Sequence, residues 1–187
     1  IRTDRSSRFG SGNKTGVFPS ASIGYRFSED IAADWLSDLK LRASWGKTGN
    51  FLIPNYASIG LLDPSNTTFG GTLVNGIAPS TISNKDLSWE KTESINIGVD
   101  FGFLEDRIYG SVEYYSATTT DLLLAVQIPA ALGFTNALTN IGEVQNTGFE
   151  LTITSRNTTG KLKWQTDLNF ATVNNEVKRL GPSGDPI

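Results

Sequence analysis

The 187-residue sequence contains no cysteine, no histidine and no methionine. Without cysteine there is no disulfide, no thiolate metal ligand and no thiol nucleophile. Without histidine the chain lacks the commonest general base and the commonest neutral metal ligand. A Ser-His-Asp triad or a zinc site is therefore excluded within it. Charge of either sign is also in short supply, with 16 Lys and Arg against 19 Asp and Glu. No basic run supplies an electrostatic footprint for nucleic acid, so no nucleic-acid partner is expected. The longest apolar run, Leu122 to Val126, is far below the ~20 residues that a membrane helix needs. That excludes a helical span but not a barrel, whose alternating strands average to low hydropathy.

The ends carry no start or stop signal. Ile1-Arg2-Thr3-Asp4 resembles neither a start site nor a signal peptide, and Gly181 to Ile187 reads as a loop cut in mid-course. The sequence is expected to be a piece of a longer chain. Asp63-Pro64-Ser65-Asn66 and Asp185-Pro186 read as turns.

What the sequence has is period two. Along Val17 to Phe27, Val17, Ala21, Ile23, Tyr25 and Phe27 alternate with Ser20, Ser22, Gly24 and Arg26. Leu39, Leu41, Ala43 and Trp45 alternate with Lys40, Arg42 and Ser44. The clearest case sets Ile95, Ile97, Val99, Phe101 and Phe103 against Ser94, Asn96, Gly98, Asp100 and Gly102. Successive strand side chains point to opposite faces, so each such segment has an oily and a wet side. Arg107 to Tyr115, Gly148 to Thr154 and Leu162 to Phe170 continue the pattern, giving six strands in all. The one weak helical candidate is Glu29 to Leu36.

Alternation alone also describes a soluble or surface-displayed β-sandwich that binds glycans, and that alternative stays open at this point. Connection lengths favour a barrel. Short links at Ser28 to Asp38, Leu104 to Asp106 and Asn157 to Gly160 alternate with long ones at Gly46 to Trp89 and Ser116 to Thr147. Up-and-down outer-membrane barrels have short periplasmic turns and long outer loops, and a compact sandwich rarely tolerates structureless loops of such length. Tyr25, Phe27, Phe101, Phe103 and Trp164 then gather on the oily face near the short-turn end, where an interfacial girdle belongs. The fold expected is all-β: antiparallel up-and-down strands forming part of a transmembrane barrel.

No catalytic chemistry is legible. Glu90, Glu93 and Asp100 are near in sequence but form no recognisable acid-base pair, and Asp63-Pro64-Ser65-Asn66 lacks the ligand count and glycine of a calcium loop. The glycine-rich Phe9 to Gly16 lacks phosphate-loop spacing and a following helix, and reads as a loop before a strand. No enzyme activity, cofactor or metal is expected.

Four blocks resemble a known family. They are Ser7-Arg8-Phe9-Gly10 with Gly16 to Arg26; Trp35 to Asn50; Leu87 to Thr92 through Asn96 to Leu104; and Asn140 to Leu151. In this order, and over nearly the whole chain, they are similar to barrel strands of SusC-like TonB-dependent outer-membrane transporters. The resemblance implies a bacterial outer-membrane importer of oligosaccharides or other nutrients, driven through TonB. It further implies a plug inside the barrel and a SusD-like lipoprotein as lid. Residues 1–187 are then part of the C-terminal barrel, without plug or closing strand; six strands are a fraction of the ~22 of a plugged transporter. On this reading Ile23, Tyr25, Ile97, Val99, Phe101, Leu151, Trp164 and Leu168 face outer-membrane lipid. Arg42, Asn96, Asp100, Tyr109, Glu113, Asp167 and Asn169 face the lumen, where plug contact ranks above substrate contact. Phe51, Tyr56, Phe69, Trp89 and Phe134 are the outer-loop candidates for substrate contact.

Overall fold

The structure is a computed structural model that describes residues 1–31 and 33–181. The Asp185-Pro186 turn signal and most of the closing loop lie outside the described residues. The strands are β1 (Arg2–Arg5), β2 (Thr15–Phe18), β3 (Ser20–Arg26), β4 (Leu36–Asn50), β5 (Leu62–Phe69), β6 (Thr72–Pro79), β7 (Glu90–Phe103), β8 (Ile108–Gln127), β9 (Asn136–Thr159) and β10 (Lys163–Arg179). Six of them form one antiparallel sheet in the order β10-β9-β8-β7-β4-β3, and β1-β2 and β5-β6 are separate hairpins. Each strand of the large sheet thus lies beside its predecessor in that sheet. The sheet is open, and among the described residues β3 and β10 are its unpaired edges.

The six expected strands are all present, and their loop ends reach further than alternation indicates. β8 and β9 stay paired from Ile108↔Ser155 out to Gln127↔Asn136, so the connection read as a long structureless loop from Ser116 to Thr147 is mostly strand. The connection after β4 likewise contains the β5-β6 hairpin. Asp63-Pro64-Ser65-Asn66 is strand and not turn: Pro64 lies opposite Ile77, and β5 has a neighbour on one side only, where a missing N–H is tolerated. The reversal falls instead at Gly70 and Gly71, whose φ of 59° and 79° are the left-handed values a two-residue hairpin turn requires. Asn157 to Thr159 belong to β9, and its link to β10 is shorter than expected. Glu29 to Leu36 forms no α-helix in its described residues; a single 3-10 turn covers Phe27–Glu29 and ends at the first of them.

At the short-turn end, the β7-β8 link holds Leu104, Glu105 and Asp106 all at φ near 56–58°, unusual for residues with a side chain. Residues at the start of β4 hold two of them there. Leu104 N donates to Trp35 O at 2.9 Å, and Asp106 N donates to Ser37 Oγ at 3.0 Å.

Burial decides the character of the sheet. The buried hydrophobic residues are Phe9, Phe18, Ile53, Leu87 and Trp89, a small core beyond the loop ends of β4 and β7. The sheet's apolar residues stay open, with Ile23 at 74% and Trp164 at 60% exposure. Among the described residues no second sheet covers the oily face. A β-sandwich needs such a sheet, so that alternative is set aside.

Candidate functional site: the two faces of the sheet

Register sorts the side chains into rows. One row crosses the whole sheet as Gly24, Arg42, Gly98, Glu113, Glu150 and Ala171. The next, toward the short-turn end, is Arg26, Lys40, Asp100, Ser111, Thr152 and Asn169. These rows lie on the polar face. Arg42 is its hub: Nε lies 3.1 Å from Asp100 Oδ1 and Nη2 lies 2.9 Å from Glu113 Oε2. The guanidinium passes over Gly98, where a Cβ would come within 2.9 Å of Arg42 Cζ. A side chain at Gly98 would displace it.

Further along, Thr154 Oγ1 donates to Asp167 at 2.7 Å and Thr152 Oγ1 to Asn169 at 3.1 Å. Asn96 Nδ2 donates to Ser44 Oγ at 3.4 Å. The Arg156 guanidinium lies 5.4 Å from the Tyr109 ring centre. Arg26, Asp38, Asp100, Tyr109, Thr154 and Arg156 line a wide polar hollow of about 910 Å³ toward the short-turn end. The described residues contain no group of acidic side chains spaced to hold a metal ion.

The oily face runs in parallel rows. Ile23, Ala43, Ile97, Tyr114 and Phe149 form one; Tyr25, Leu41, Val99, Val112, Leu151 and Phe170 form the next. At the short-turn end Tyr25 meets Phe27 edge-on at 4.8 Å, Phe101 stacks on Phe103 at 5.4 Å, and Trp35 stacks on Phe103 at 5.8 Å. At the loop end the band stops at Trp45 and Ile95. The next rows on this face hold Lys47, Glu93 and Thr118, then Lys91, Thr120 and Glu143. From Phe103 to Ile95 the band measures roughly 27 Å along the strand. Barrel strands tilt by ~35–45°, which makes this roughly 20 Å of thickness, near the apolar band of outer-membrane barrels.

Arg42, Asn96, Asp100, Tyr109, Glu113, Asp167 and Asn169 therefore share the polar face, and Ile23, Tyr25, Ile97, Val99, Phe101, Leu151, Trp164 and Leu168 share the oily one. Alternation in the sequence also sets Arg26 and Thr152 on the polar face and Tyr114 and Phe170 on the oily one, in agreement with the register. Sequence reading missed Thr154 and Arg156 on the polar face and Trp35 on the oily one. Parity within each strand carries that signal once the neighbouring register is known.

The outer-loop aromatics do not form one site. Trp89 is 3% exposed and enclosed by Phe9 at 5.0 Å, Phe18 at 5.4 Å and Phe51 at 5.7 Å. It is a core residue and presents no face to a ligand, which corrects its reading as a substrate platform. Phe51 also lies 5.7 Å from the Arg8 guanidinium. Tyr56 is exposed, Phe69 sits exposed before the Gly70-Gly71 turn, and Phe134 is half-buried between β8 and β9.

A single layer of antiparallel strands, oily on one side and wet on the other, defines the wall of a large β-barrel. The chain belongs to the family of TonB dependent receptor-like β-barrels, whose model matches residues 1–186. It is 40% identical over 184 residues to TonB-dependent receptor P39 of Formosa agariphila, covering 96% of this chain and 17% of that protein. It is 37% identical to TonB-dependent receptor SusC of Bacteroides thetaiotaomicron, covering 99% of this chain and 19% of that protein. A solved structure of the RagAB peptide transporter superposes with a TM-score of 0.85 at 34% identity, covering 96% of this chain and 20% of that one. The chain thus spans about a fifth of the length of these relatives. They are named as receptors and transporters, not as enzymes.

Proposed function

We propose that this chain is a wall segment of a bacterial outer-membrane importer that takes up oligosaccharides or other nutrients. The observation that carries the reading is the sheet itself. Its oily band is uncovered, has about the height of a membrane's apolar layer, and backs onto a continuous polar face. The oily residues from Ile23 to Trp164 face lipid. Arg42, Asn96, Asp100, Tyr109, Glu113, Asp167 and Asn169 face a wet lumen, where they hydrogen-bond a plug more than cargo. Hydrocarbon does not tolerate open sheet edges, so β3 and β10 pair with further strands of the parent barrel. SusC and the peptide transporter RagAB support a SusD-like lipoprotein partner at the loop end. Phe51, Tyr56, Phe69 and Phe134 are the loop-end candidates for cargo contact. TonB is engaged by parts of the parent outside this segment, and transport is gated passage without bond chemistry here.

The test is uptake by whole cells. Accumulation of labelled oligosaccharide should require the parent gene and collapse when a protonophore dissipates the inner-membrane proton gradient. A parent protein found in the soluble fraction would overturn the reading.

A further inference from the structure

The arms that rise from the loop end are almost free of charge. Residues 48–84 carry a single charged side chain, Asp63, and residues 122–142 carry none, although the sequence has 16 Lys and Arg and 19 Asp and Glu. Depletion of charge is the mark of the buried centre of a protein interface. The two arms differ in how their apolar residues are used. In the β8-β9 arm, Leu123 and Leu138 pack against the core around Trp89. The β5-β6 hairpin pairs with no other strand among the described residues. Its root is closed by Ser80 N, which donates to Leu61 O at 2.8 Å, and beyond the root its large side chains stand open. Phe69 is 80% exposed and Ile77 74%. Register puts apolar groups on both faces: Leu62, Leu73 and Ile77 on one, Phe69 and Val74 on the other. A two-stranded hairpin alone is marginal in water, and apolar groups on two faces need cover on two sides. The rim of the parent barrel offers one side, and the other opens to the exterior.

We infer that the β5-β6 hairpin is a docking surface for the lipoprotein lid, held by apolar burial and not by charge. The inference rests on the proposed importer reading, which supplies the lid; the hairpin's chemistry supplies the kind of contact. Lipid is not the cover, because the hairpin stands between Asn50 and Glu90, beyond the charged rows that end the oily band. An anionic surface finds no cation on the hairpin. A glycan presents hydroxyls, which the aliphatic Leu62, Leu73 and Ile77 would leave without hydrogen-bond partners. A protein surface of similar apolar character satisfies all three conditions. Phe69 then belongs to the partner contact and not to cargo. The hairpin is roughly 27 Å long, so it supplies part of the ~800 Å² that each side of a standard interface buries. Other loops of the parent supply the rest.

The test isolates the tagged full-length parent from its own outer membrane in mild detergent, counts bound chains by native mass spectrometry and identifies them by peptide sequencing. The lipid-modified polypeptide found there is purified and titrated against parent stripped of it. Its Kd should change less than about two-fold from about 0.05 to about 0.5 M salt, as screening leaves apolar contacts alone. Phe69→Asp with Ile77→Asp should weaken binding at least about thirty-fold, as loss of a buried anchor does. Phe69→Lys with Ile77→Lys should weaken it as much, because burial and not the sign of a charge is lost. A photo-crosslinking residue at position 69, in an otherwise unchanged parent, should capture the same polypeptide. Wild-type binding by both double variants would overturn the docking surface and leave the importer reading in place. So would capture at position 69 of a second copy of the parent, or of the parent's own loops alone. A parent that carries no lipoprotein in its own membrane would instead sink the lid itself.

Discussion

The guanidinium of Arg42 lies across Gly98 to reach Glu113, so that one side chain ties β4 to β8 over the strand between them. The three residues sit in one register row, and the glycine is what makes the crossing possible. Asp100 holds the near edge of the same guanidinium.

Filling that gap should loosen the row. Gly98→Val is expected to destabilise the parent barrel by about 1–3 kcal/mol, as overpacking does, measured by urea unfolding in lipid. In an Arg42→Ala background the cost should shrink by more than ~0.5 kcal/mol, the coupling expected of residues in contact. Equal cost in both backgrounds would show that the guanidinium does not lie over Gly98.

The oily face makes a sharper demand. Val99→Arg should cost ~2–4 kcal/mol if Val99 lies near the bilayer midplane. Ser111→Arg, on the polar face, should cost far less. Folding into vesicles of the parent protein, followed by denaturant titration, gives both values.

The loop-end core predicts a third pattern. Trp89 is buried and its indole nitrogen has no hydrogen-bond partner. Trp89→Ala should therefore cost ~3–5 kcal/mol of local stability. Trp89→Phe should cost a small part of that, because no hydrogen bond is lost. Hydrogen exchange of residues 80–90 in the parent should show the loss, while exchange in the membrane band stays unchanged.

The sheet was legible because a wall with one dry and one wet face writes its period directly into the chain, as Ile95 to Phe103 shows. Above the band that signal fades. Thr118 to Asp121 and Asn136 to Asn140 meet no single-sided environment, so pairing there follows from the neighbouring strand and not from alternation. Pro64 hid β5 for a similar reason, since a turn residue is tolerated on an edge. Phe9 and Leu87 gave no periodic signal, and their burial arises from contacts across some eighty positions. The Arg42 network was half legible: its residues were placed on the right face, but its partners lie 58 and 71 positions away. Trp89 misled because a loop aromatic reads the same whether it is packed or presented.

The most direct test of the central claim is a spin-label scan along Ile95 to Phe103 in the membrane-inserted parent, made free of native cysteines. Oxygen, which concentrates in lipid, should relax labels at positions 95, 97, 99, 101 and 103. A water-soluble nickel chelate should relax those at 96, 98, 100 and 102. That two-residue period, in this phase, is the predicted result. The opposite phase, or no period at all, would contradict a wall with Val99 in lipid and Asp100 in the lumen.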